Sequence, residues 1–210
     1  MYFLFLHEKF GSIKTFTQGK SMQNQKPMVF SWIVFAFWAA LTVTAHAAPL
    51  KVDATKSSVS AVFKQMGVPI ETKFTKFSAQ VDYDAAKPQN SKAIVDIDIT
   101  SFDLGDPDYN QEVQKKEWFN GAQFPKANFT AGKITPSGAG KLEVSGKLTI
   151  KGKTTDVSFL LNVKKEGAAQ LFEGSLPIKR LAFSIGDGTW KDTSVVADEV
   201  IIKFRIVGTQ

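Results

Sequence analysis

The stretch KAIVDIDIT, residues 92–100, sets the period of the chain: Val95, Ile97 and Ile99 fall on one side of an extended backbone, Asp96 and Asp98 on the other. A two-residue alternation of apolar and charged side chains marks a strand with one buried face and one wet face. Two neighbouring carboxylates on one strand face would also suit paired acid–base work. The alternation accounts for them more simply, as the solvated side of a half-buried strand.

The same period runs outward in both directions. Upstream, Val59, Ala61 and Phe63 share a face against Ser58, Ser60 and Lys64, and Gly67-Val68-Pro69 breaks the run. Between Glu71 and Tyr83, Phe77, Ala79, Val81 and Tyr83 are in phase while Phe74 is out of it, which predicts a bulge or bend near Lys76. Downstream, Leu142, Val144, Leu148 and Ile150 share a parity with Gly146, a small residue that permits sharp curvature or close approach of a ligand. Val157, Phe159, Leu161 and Val163 follow a hairpin signal at Lys151-Gly152-Lys153, and the last run carries Val196, Asp198, Val200, Ile202, Phe204 and Ile206 on one side.

Strands are therefore expected at 57–65, 71–84, 92–100, 126–134, 141–150, 154–165, 169–185 and 194–207. A meander of this kind suits a closed antiparallel barrel or a two-sheet sandwich, and periodicity does not separate them. One excursion interrupts it. Pro107 beside Asp106 suits a helix start, and Asn110 through Phe119 read as one short helix with Val113, Trp118 and Phe119 as its apolar contacts.

The first 47 residues are built differently. Met28–Val43 is a nearly unbroken apolar run preceded by Lys26 and followed by Ala45-His46-Ala47, the pattern of an export signal with its cleavage box. Sixteen residues fall short of the roughly 20 that a bilayer crossing needs. The expected organisation is thus an extra segment at 1–21, ahead of the second methionine Met22 and consistent with a misassigned start; a signal peptide at 22–47; and one domain at 48–210, exported to the periplasm with no integral membrane segment after cleavage.

What the exported part lacks excludes much chemistry. The chain has no cysteine, so disulfides, thiol nucleophiles and thiolate metal sites are unavailable. Both histidines, His7 and His46, lie ahead of the cleavage site, which removes imidazole catalysis and imidazole metal ligation. Four of the 26 Lys and Arg residues and one of the 20 Asp and Glu residues precede residue 48, and the remaining lysines are scattered among acids, so a nucleic-acid surface is not expected. Asp103, Asp106 and Asp108 lack the ligand spacing of a calcium loop. Lys151 and Lys153, at a hairpin tip, are expected to be solvated and protonated rather than nucleophilic. Eleven of the 18 phenylalanines lie past residue 47, enough to wall either a core or a channel for a long apolar guest.

Five strings carry a resemblance over about Lys51 to Val207: Glu117-Trp118-Phe119-Asn120, Phe124-Pro125-Lys126-Ala127, Leu148-Thr149-Ile150-Lys151-Gly152, Ile185-Gly186 through Trp190-Lys191-Asp192, and Val196-Ala197-Asp198-Glu199-Val200. In this order they resemble the YceI-like family. The resemblance implies an all-β, extended, eight-stranded antiparallel lipocalin-like barrel with a short helical insertion between the third and fourth strands, exported to the periplasm. Some members bind a polyisoprenoid or quinone-like lipid inside the barrel. From parity, Phe63, Val95, Ile97, Ile99, Leu148, Phe159 and Phe204 are the candidates for lining such a channel.

The expected function is non-enzymatic binding of an apolar small molecule, as carrier or reservoir, with no cofactor and with the oligomeric state open, a homodimer included. Two rivals remain: an envelope interaction module using the 101–125 excursion through Tyr109 and Trp118, and, weakest, an enzyme acting through Asp96 and Asp98.

Overall fold

The computed structural model describes Pro49–Gln210; the segments 1–21 and 22–47 lie outside the described residues. Eleven strands and one α-helix occur in it. The strands are β1 (Pro49–Val52), β2 (Ser58–Gln65), β3 (Val68–Phe74), β4 (Phe77–Asp82), β5 (Lys92–Asp98), β6 (Phe102–Asp103), β7 (Lys126–Pro136), β8 (Lys141–Ile150), β9 (Lys153–Glu166), β10 (Ala169–Lys179) and β11 (Val196–Thr209), with α1 at Pro107–Glu112.

Every pairing among them is antiparallel, and they add up to eight staves. β1 and β2 both pair with β11, β3 and β4 with β2 and β1, and β5 and β6 with β4 and β3, so each of these pairs is one stave broken in the middle. β7, β8, β9, β10 and β11 complete the circuit, and the pairing of Lys51 with Thr209 closes it. Closure decides against a sandwich, because no sheet edge is left for two layers.

Two of the three breaks, at 75–76 and at 99–101, share their hydrogen bonds. Ser101, buried, accepts from Lys76 N–H at 3.0 Å through its hydroxyl, and that hydroxyl lies 2.7 Å from Asp98 O. Thr75 N–H donates to Ser101 O and Asp98 N–H to Lys76 O. The bend predicted near Lys76 is thus one half of this pair. At the other half, Ile99–Ser101, the chain makes a 3-10 turn with the Asp98 carboxylate accepting from Thr100 N–H.

Three local expectations need correction, and one short strand adds to them. The turn between β2 and β3 is Met66-Gly67, and Val68 and Pro69 belong to β3, where Pro69 faces Lys64 across the ladder. The helix is Pro107–Glu112 instead of Asn110–Phe119: Asp106 caps it through Asp108 and Tyr109 N–H, and beyond Val113 the chain proceeds in turns. β10 ends at Lys179 instead of running to 185, because Arg180–Phe183 curls into a 3-10 turn that carries Arg180 inward. The short strand β1 carries too few alternating residues to be seen in advance.

The apolar interior has two larger lobes and a small third cluster of Ala61, Phe102 and Val113. One lobe gathers Leu148, Ile150, Leu176, Ile178, Phe183 and Ile185, the other Leu50, Tyr83, Ile134, Leu142, Val144, Phe172 and Ile206. Gly146, read as a point of curvature or ligand approach, serves the wall. A Cβ there would sit 2.3 Å from Thr130 O and 2.9 Å from the Phe129 ring, beside the bulge at Ala131–Lys133. Glycine lets the neighbouring strand and Phe129 close in; a ligand is not what fills that space.

Candidate ligand-binding site

Two cavities follow one another inside the barrel, and Ile202 of β11 lines both. The smaller, strand-walled one, the inner cavity, is about 120 Å³ and is lined from β2, β4, β5, β7, β8, β9, β10 and β11. Phe129, Phe159 and Phe204 form its central aromatic row, with ring centroids 5.5 Å and 5.2 Å apart along the row, the spacing of tilted and edge-to-face pairs. Val95, Ile97, Leu148, Phe159 and Phe204, five of the positions nominated by parity, line this cavity.

The outer cavity, about 450 Å³, lies between β2, β3 and β11 on one side and the 102–119 excursion on the other. Phe63 lines it, together with Ala61, Ile70, Phe74, Phe102 and Phe119. Ile99 lines neither cavity. It is 2% exposed and sits inward, in the same buried core cluster as Ala127, Leu148 and Phe183, at the 3-10 turn where the stave breaks. The volume is that of an ordinary small-molecule pocket, roughly 300–1,000 Å³. The closed barrel therefore encloses apolar space suited to a hydrophobic ligand.

The polar groups of the outer cavity are few: Arg180 is fully engaged, while the buried Trp118 indole N–H has no hydrogen-bond partner among the described residues. Arg180, 2% exposed, lines it and spends its guanidinium on five backbone carbonyls. Nε donates to Ala197 O at 3.1 Å, one Nη to Ile185 O and Gly186 O at 2.8 and 3.2 Å, the other to Trp190 O and Val196 O at 2.6 and 2.7 Å. Burial pulls its pKa down, opposed by the Asp198 charge. Trp118 lies on the guanidinium, 5.9 Å from ring centroid to the central carbon, and packs on Trp190 at 5.1 Å. Gly186 has φ +80°, and a Cβ on it would stand 2.1 Å from the guanidinium, so only glycine lets the 184–192 loop wrap the arginine this closely.

The sequence identifies Gly186 and Gly188 as positive-φ turn positions beside a packing Trp190, which the structure bears out, but not Arg180 as the group that loop wraps. A signal was present. Arg180 and Arg205 are the two arginines among 26 basic residues, and so rare an Arg in a lysine-rich chain points to a place needing fixed, planar donors. Trp118 faces the cavity, so it is not offered to a partner protein on the outer surface of the excursion; Tyr109 is 64% exposed.

Lys151 departs from expectation. At φ 49° and half-buried, its ammonium donates to Ser184 O at 2.6 Å and Lys116 O at 2.8 Å, which ties the β8–β9 hairpin to the loops over the cavity. Burial lowers its pKa, opposed by Asp187 and Glu117. Lys153 donates to the Ser184 hydroxyl. Both amines serve as fasteners. Asp96 accepts from Asn128 Nδ2 at 2.9 Å and Asp98 caps the turn at Thr100, so the carboxylate pair is used within the wall and lines neither cavity. Among the described residues no group of three or more His, Cys, Asp or Glu is placed to hold a metal ion. Among them, too, no helix is long and apolar enough to cross a membrane.

Residues 50–208 match the YceI-like domain. Among solved structures, the chain is similar to Burkholderia cenocepacia BcnA, 54% identical with a TM-score of 0.74 over 76% of this chain and 100% of that one. It also shares its fold with a polyisoprenoid binding domain from Saccharophagus degradans, at 20% identity, a TM-score of 0.62, and coverage of 78% and 99%. A UPF0312 protein of Shewanella baltica is 28% identical over 145 residues, 68% of this chain and 75% of the relative.

Proposed function

From the premise that this chain belongs to the YceI-like domain family, we propose that it is an exported, non-enzymatic binder of an isoprenoid or other long apolar lipid, acting in the periplasm as carrier or reservoir. One observation carries the reading: two apolar cavities lie in series within a closed barrel and meet at Ile202. A chain-like guest lying along that line gains roughly 0.8 kcal/mol per CH₂ removed from water, part of which is returned in ordering the chain. With the guanidinium of Arg180 already engaged by carbonyls, selection among guests rests on length and girth more than on hydrogen bonds. The fold shared with a polyisoprenoid binding domain supports this class of guest. The apolar run and Ala45-His46-Ala47 box ahead of the domain support export.

The test is native mass spectrometry of protein purified from the export compartment of its own host, followed by organic extraction. One lipid of a single mass class per protein, lost on extraction and regained from an added prenyl alcohol, is the expected result. Protein that carries nothing and takes up no prenyl alcohol would sink the reading.

A further inference from the structure

The β2–β3 hairpin runs from the barrel interior out past the rim of the outer cavity, and its inner face stays largely apolar along the way. Ala61 is buried, Phe63 and its ladder partner Ile70 are half-buried and line the cavity, and Gln65 with its partner Val68 is exposed. Residues directly opposite on an antiparallel ladder project from the same face, so Val68 stands on the cavity side of the hairpin, beyond the mouth. The tip is Met66-Gly67. Met66 is 69% exposed and Val68 62%, and Tyr109 of α1, 64% exposed, lines the same cavity.

Met66 is also in a costly conformation. Both turn residues have positive φ, 50° for Met66 and 82° for Gly67. A two-residue hairpin turn of that kind favours Asn or Asp before Gly, and a methionine there gains nothing from the turn. It gains nothing from the core either, being exposed. A strained, apolar, solvent-facing side chain at the lip of an apolar cavity calls for an external apolar phase.

We propose that this mouth docks on a lipid bilayer surface, with Met66 and Val68 dipping into it and Tyr109 beside them, so that an apolar guest passes between bilayer and cavity without crossing water. The inference rests on the lipid-binding reading above. A bilayer fits the patch better than a protein does: three side chains are far from the roughly 20–30 residues a side of a stable interface, whereas a few apolar side chains suffice for reversible attachment to a bilayer. Of the nearby charges, Glu112 pairs with Lys115 and Asp187 with Lys191, while Lys64, two residues from Met66, is exposed and carries no ion pair among those of the described residues.

The test compares the unaltered protein with the double variant Met66→Asn, Val68→Thr, which suits the turn and keeps the strand, and so should melt no lower. Co-sedimentation with phosphatidylcholine vesicles should fall about tenfold, and transfer of a fluorescent prenyl probe out of those vesicles should slow to a similar extent. Affinity for the same probe added from dilute detergent should not change. Equal vesicle binding by both proteins would overturn the proposal, as would a loss matched by dissociation of a dimer in sedimentation, which would make a second copy the occupant. If neither protein takes up the probe by either route, the lipid-binding reading fails, and vesicle co-sedimentation alone still decides the docking.

Discussion

The inner and outer cavities are built from the same staves yet by opposite means. The inner one is narrowed by its own walls: inward strand side chains, the Phe129–Phe159–Phe204 row and a glycine that lets the wall close. The outer one is kept open by a frame held at its edge, where Arg180 gathers the carbonyls of two segments and Trp118 and Trp190 lie against it. Strand geometry with side chains of fixed size makes a narrow apolar slot. A wider cavity needs loops, and loops bring backbone carbonyls that must be paired. The buried arginine is the device that pairs them.

The largest effect should come from breaking the frame. Arg180→Met leaves carbonyls of Ile185, Gly186, Trp190, Val196 and Ala197 without their donor and should cost at least about 4 kcal/mol, lowering the melting temperature steeply and abolishing probe binding. Thermal melts decide it; a shift of only a few degrees would mean the frame is not what holds the outer cavity. Gly146→Val attacks the inner wall instead. Its side chain would collide with Thr130 O and Phe129, for an expected loss of about 2–3 kcal/mol in urea unfolding.

Ile202→Ala removes the side chain on which the two cavities meet. The cost should be about 1–2 kcal/mol, below a core truncation because this side chain is only half-buried, while the affinity for geranylgeraniol should rise relative to geraniol in a competition assay. No change in that ratio would show that the two spaces do not act as one path.

The smallest effect concerns pH. Asp103 accepts from Gly105 N–H at 2.9 Å and from Asn110 Nδ2 at 3.2 Å, and these bonds, the backbone one first, hold its pKa below the usual carboxylate range. A depressed carboxyl pKa stabilises the fold above its unfolded value, and that contribution is lost as pH falls through the folded one. Hydrogen exchange at Gly105 and through α1 should therefore quicken in acid below the normal carboxylate range. Asp103→Asn should remove the dependence while keeping the turn.

Much of this was legible beforehand. The period of two set by KAIVDIDIT carried through to the eight staves and identified Val95, Ile97, Leu148, Phe159 and Phe204 as inward, because on an unbroken strand side-chain direction is a local property. Ile99 is inward as well, buried with Leu148 and Phe183 although the stave breaks there, and the outer cavity was mostly invisible because loops with no period build its frame.

The sequence by itself determined the alternation, the turn at Lys151-Gly152, the bend near Lys76 and the absence of thiol and imidazole chemistry past residue 47. Only the tertiary structure decided that the sheet closes on itself, that Lys151 is a fastener instead of a free amine, and that Arg180 turns inward. The physical reason is range. Side-chain alternation is fixed by neighbours along the chain, whereas closure and the pairing of Arg180 with the carbonyls of Trp190 and Val196 depend on which distant segments reach the same point in space.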